Sequence, residues 1–92
     1  MRDGNANEFI ETLYGGCDIT FVFMGVKYMI QGWWEDGQYV LSLDQLYPKT
    51  DNIGIWKYVA NTAKECVEAF EKALIFNGKS FWSVENEIQW VD

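Results

Sequence analysis

The sequence predicts an α+β fold: an antiparallel three- to four-stranded sheet with helices packed on one face, in the order α-β-β-β-(β)-α-α/β. Three observations point there. Two stretches carry apolar residues at the 3.6-residue period of a helix, and the stretch between them alternates at the two-residue period of a strand. Two glycine-containing dipeptides sit where tight turns gather the alternating side chains onto one side. With 92 residues, 49% of them hydrophobic, the chain holds enough apolar material for one core, and no repeat, low-complexity tract or linker divides it. Residues 1–92 therefore read as a single domain.

The first helix is expected over about 5–14. Ala6, Phe9, Ile10, Leu13 and Tyr14 recur at helical spacing, Asn5 and Glu8 are placed as an N-cap and its third-position partner, and Gly15-Gly16 ends the run with a left-handed cap. From Cys17 the period becomes two. Taking Met24-Gly25 as a two-residue turn pairs Phe23 with Val26, Phe21 with Tyr28 and Ile19 with Ile30. Asp36-Gly37 suits the positive-φ positions of a type I′ hairpin. With those two as the loop, Trp34 faces Tyr39, Gly32 faces Leu41 and Ile30 faces Leu43, all on the side already occupied by the first hairpin. A one-residue slip would turn each apolar set outward, so the agreement of two hairpins fixes the register. Gly32 is expected to make room for a bulky neighbour.

A loop marked by Pro48 is expected between Asp44 and Asp51, followed by a fourth strand over Ile53 to Val59 whose phase stays open: either Ile55 and Val59 or Trp56 and Tyr58 point inward. Thr62-Ala63-Lys64-Glu65 matches a capping box, and Cys66, Val67, Phe70, Ala73 and Leu74 supply the apolar stripe of a helix over about 63–74. Asn77-Gly78 turns the chain, Ser80 is placed to cap a short helix over about 81–86, and residues 88–91 suit a final short strand.

Composition excludes more functions than it suggests. Seven basic residues against fourteen acidic ones give a net charge of −7, and the six Lys and one Arg are scattered, so direct nucleic-acid binding is not expected. The chain has no His, which removes the usual base of nucleophilic and acid–base sites. Cys17 shares strand parity with the core residues Ile19 and Phe21, Cys66 lies on a helix stripe, and both are expected to be buried free thiols. Gly78-Lys79-Ser80 resembles the end of a phosphate loop, but Ala73 stands where that motif needs its first glycine. Glu35 with Asp36, and Asp18 with Asp44, are solvated pairs in this reading, and Glu65, Glu68 and Glu71 with Lys64 and Lys72 form a solvated helix face. No catalytic, cofactor-binding or metal-binding residue is assigned, no cofactor is expected, and the chain is expected not to be an enzyme. No signal-peptide pattern or run of about 20 apolar residues occurs, so a cytoplasmic location without membrane contact is expected.

The outer face of the sheet carries the functional expectation. The register places Val22, Met29, Trp33 and Val40 away from the core among Thr20, Lys27, Gln31, Ser42 and Asp44, with Trp33 opposite Val40. Either the C-terminal segment, with Phe81, Trp82 and Trp90, folds over these residues, or a protein partner or a second copy of the chain does.

The pattern Phe9-Ile10-Glu11, Gly16 to Phe21, Gly25 to Tyr28 and Ile30, closing with Phe76-Asn77-Gly78-Lys79-Ser80-Phe81-Trp82, resembles small uncharacterised α+β proteins of Gram-positive bacteria and their mobile elements. That resemblance implies the fold and carries over no functional residue. Size, acidity and the helix-then-three-strands order are also similar to those of some phage-encoded anti-CRISPR inhibitors, which occupy a nuclease's DNA-binding surface. The leading expectation is a non-enzymatic interaction module anchored by Trp33 and Met29, with Val40 and Val22 beside them. The alternatives are an acidic inhibitor that mimics nucleic acid toward a basic enzyme, and a small-ligand binder with a Trp-lined pocket.

Overall fold

Asn5 opens the first helix, α1 (Ala6–Thr12), by accepting hydrogen bonds from the backbone N–H groups of Asn7 and Glu8 at 2.9 and 3.1 Å. The computed structural model describes residues 1–16, 18–51 and 54–92. The expectations placed on Cys17, and on Ile53 as the start of a strand, lie outside those residues. After α1 the chain tightens into a 3-10 turn at Leu13–Gly15, and Gly16 closes it with φ of 69°, so the left-handed stop is present although the α-helix itself is shorter than expected.

Four strands follow: β1 (Asp18–Phe23), β2 (Val26–Glu35), β3 (Gln38–Tyr47) and β4 (Gly54–Ala60). Both hairpins turn on the expected dipeptides. Met24-Gly25 has φ values of 50° and 75°, and Asp36-Gly37 has 52° and 80°, the doubly left-handed pattern that matches strand twist. Every pairing derived from those turns is present, including Ile19 with Ile30, Ile30 with Leu43, Gly32 with Leu41 and Trp33 with Val40.

The structure corrects the expected extent of the sheet. β3 runs on to Tyr47 instead of ending near Asp44, because irregularities at Lys27/Tyr28 and Leu43/Asp44 absorb the extra residues while the ladder continues. Asp44 is thus a mid-strand residue, opposite Met29. The C-terminal segment forms both candidate structures, a short helix α3 (Phe81–Val84) and, after a 3-10 turn, a fifth strand β5 (Ile88–Trp90). The sheet has five strands in the order β4-β3-β2-β1-β5, all antiparallel.

The second helix, α2 (Ala63–Lys72), begins at Thr62, whose Oγ accepts from the Glu65 N–H at 3.2 Å. It ends earlier than the apolar stripe suggested. Ala73 is already extended, and Leu74 lies beyond the helix and is exposed. Ser80 makes no side-chain cap; its hydroxyl pairs with that of Ser83 at 3.1 Å.

All three helices share one core with one face of the sheet. Phe9, Ile10 and Leu13 of the first helical segment, Cys66, Val67 and Phe70 of α2, and Phe81 and Val84 of α3 are buried against Ile19, Phe21, Ile30, Leu41 and Leu43. The Phe9 ring stacks on Phe81 and meets Phe21 and Trp90 edge-on. These contacts correct the idea that the C-terminal segment covers the outer face: Phe81, Ile88 and Trp90 belong to the inner side. Trp82, half exposed on the helical side, donates its indole N–H to Glu71 at 2.6 Å.

Candidate interaction face

Strand alternation alone sorts the side chains of a twisted sheet onto two sides. Here the inner side is filled by the core, and the outer side presents three rows running across the strands. One row is Trp33, Val40 and Val59; the next is Asp18, Gln31, Ser42 and Lys57; the third includes Thr20, Met29 and Asp44. Val22 sits beyond them, between Lys27 and Gln89. Among the described residues no helix lies against these rows, since every buried helical side chain belongs to the inner core.

The four expected anchors occupy this face in unequal ways. Trp33 is 37% exposed, the most open of the four. Met29 and Val22 are half-buried. Val40 faces outward but retains only 2% exposure, because it lies on central strand β3 between Trp33 and Val59. It supports its neighbours instead of offering a surface.

Two contributors fell in the strand whose phase the sequence left open. Trp56 and Tyr58 point inward and stack at 6.1 Å with 11° between their planes, Trp56 continuing onto Phe70, so Lys57 and Val59 point outward. Val59 is 45% exposed. The signal was present in Lys57: it shares parity with Val59, and an unpaired ammonium is almost never buried, so that parity had to face solvent.

Beside the apolar row the face is indented. At Leu43/Asp44 the register of β3 and β4 shifts, Asp44 pairs with Gly54, and Ile55 is the extra residue. The resulting open hollow, about 320 Å³, is lined by Ser42, Asp44, Gly54, Ile55, Trp56 and Lys57. Gly54 contributes the space: a Cβ there would approach the Asp44 carboxylate at 3.9 Å. The hollow offers one carboxylate acceptor, one ammonium and an aliphatic wall.

No family model, curated protein or solved structure matches the chain. Functional assignment therefore rests on the geometry. Among the described residues no group of three or more His, Cys, Asp or Glu side chains is gathered as a metal site, and no helix is long and apolar enough to cross a membrane. The carboxylates weighed as acid–base pairs are not brought together across the sheet: Asp18 pairs with Gln31 and Asp44 with Met29, on different strand neighbours. Cys66 is fully buried and donates its S–H toward the carbonyls of Tyr39 and Tyr58 at 3.3 and 3.6 Å. Burial raises its pKa, a hydrogen bond from the Ala60 backbone opposes that, and the Glu65 carboxylate adds to the rise. A thiol held in this way is a core side chain, not a nucleophile.

Proposed function

We propose that this protein is a non-enzymatic interaction module that binds protein through the outer face of its sheet, with Trp33 and Met29 as anchors and Val59 extending the apolar row. The observation that carries this reading is the uncovered face itself. Helices fill one side of the sheet, the C-terminal aromatic residues Phe81 and Trp90 join that same side, and a Trp, a Met and three Val side chains are left on the other. Desolvating one such large side chain contributes roughly 1.5–3 kcal/mol, and Trp is over-represented among the few residues that dominate interface energies.

Trp33→Ser tests the reading, because Trp33 lies on the outer side of the sheet and outside the buried cluster. The variant is expected to keep the wild-type circular dichroism, with a lower melting temperature from the lost contact with Val40, while losing self-association or capture of a purified partner. A folded variant whose solution mass and partner binding both equal those of the wild type would end the proposal.

A further inference from the structure

We infer that the occupant of the outer face is a second copy of this chain, placed by a two-fold axis so that Trp33 of each copy sits in the hollow between β3 and β4 of the other. This rests on the reading of the outer face as a binding surface and goes further by naming what binds. Three observations argue for it.

The first is charge. The outer face carries Lys27 and Lys57 against Asp18, Glu35 and Asp44, a net of −1, so −6 of the chain's −7 lies elsewhere. Two copies meeting through this face bring little net charge together, and most of the like charge that would disfavour association stays outside the contact. Both signs are interspersed across it.

The second is the match between knob and hollow. An indole needs an apolar slot, tolerates a cation over its face and has one N–H to satisfy. The hollow supplies the Ile55 side chain, the Lys57 ammonium, and the Asp44 carboxylate as acceptor. Its position also fits. Val40, opposite Trp33, is followed along β3 by Ser42 and Asp44, which sets knob and hollow about 13 Å apart on one face. A two-fold axis lying in the interface and passing midway between them exchanges the two positions, as an isologous contact requires.

The third is area. Strands β1 to β4 hold 6, 10, 10 and 7 residues, which at about 3.3 Å per residue and about 4.8 Å per strand gives roughly 500 Å² per copy before side-chain relief, so that two copies together reach the about 1,000 Å² total that a specific interface needs.

The test is complementation in trans, followed by analytical ultracentrifugation across micromolar concentrations. Wild type is expected at about twice 10.7 kDa. Trp33→Ala removes both knobs and Ile55→Glu blocks both hollows, so each variant alone is expected to associate roughly thirtyfold more weakly. An equimolar mixture regains one intact seat per pair, Trp33 of the Ile55→Glu copy entering the hollow of the Trp33→Ala copy, and is expected to associate more tightly than either variant. Loss of folding cannot imitate that recovery, and circular dichroism of each variant alone checks it directly. Wild type that stays at 10.7 kDa throughout, variants that dimerise like wild type, or a mixture no tighter than its components would each overturn the inference. A monomeric wild type that still loses purified-partner binding on Trp33→Ser would overturn only the second copy as occupant and leave the outer face as the binding surface.

Discussion

Tyr39 and Gly32 show how one side chain can tie two layers together. Tyr39 starts the core-facing series of β3, and its hydroxyl crosses to donate to the Leu13 carbonyl at 2.7 Å, in the turn that ends the first helical segment. The ring passes over Gly32 so closely that a Cβ there would lie 2.2 Å from the hydroxyl oxygen. Gly32 is required by this approach and not by its backbone angles. Gly32→Ala must therefore displace the ring and break the bond, and is expected to destabilise by about 2–4 kcal/mol, the combined scale of overpacking and an orphaned buried polar group. Tyr39→Phe leaves the space but removes the bond, at about 1–2 kcal/mol. Urea denaturation of both single variants and the double variant checks the account: the penalty for Ala at position 32 should shrink when Phe occupies position 39. The requirement for a small residue at 32 was legible from strand pairing, whereas the partner that fills its space was not, because a diagonal contact depends on sheet twist.

At the scale of elements, the hairpins were the most legible part of the molecule. Met24-Gly25 and Asp36-Gly37 each leave one register that keeps apolar residues together, and the three strands they join followed from that. What escaped was the irregular geometry. The shifts at Lys27/Tyr28 and Leu43/Asp44 carry no turn residue of their own, so β3 looked shorter and the hollow was invisible. The candidate face was legible as far as Val22, Met29, Trp33 and Val40, which lie within those hairpins. Val59 and Lys57 were missed because β4 enters through a loop instead of a tight turn. Helix α2 was marked by Thr62 and Glu65 and ended early because Ala73 leaves helical geometry. Its cap should matter in proportion: Thr62→Ala is expected to cost about 1 kcal/mol, read as a lower midpoint in chemical denaturation with an unchanged slope.

For the molecule as a whole, the acidic composition first suggested solubility, and the folded arrangement adds a direction to it, because the sheet face is nearly neutral while the remaining surface holds most of the charge. The core sets the response to alkali. Burial raises the Cys66 thiol above its ordinary 9.0 and the Tyr28 phenol above 10.0, so the folded state keeps those protons where the unfolded chain releases them. Their contribution to stability is complete below pH 9 and is lost as pH rises through the raised values. Thermal melts are expected to be level through neutral pH and to fall above about pH 9. In Cys66→Ala, which lacks the first of the two titrations, the decline should begin nearer pH 10; an unchanged onset would remove Cys66 from the account.

The strand order also limits how copies can be joined side by side. On the β5 flank, Arg2 bridges Gln89, its backbone exchanging hydrogen bonds with Ile88 and Trp90 at 2.9 Å, and Gln89 donates to Asp3 at 2.7 Å. Beyond β4 the described residues place no further strand, and Lys57 stands at the middle of that border. Endless lateral growth needs two open borders on every molecule, one to give and one to receive. Among the described residues only one is open. Side-by-side addition ends after a single event, and fibril elongation by that route has no second step.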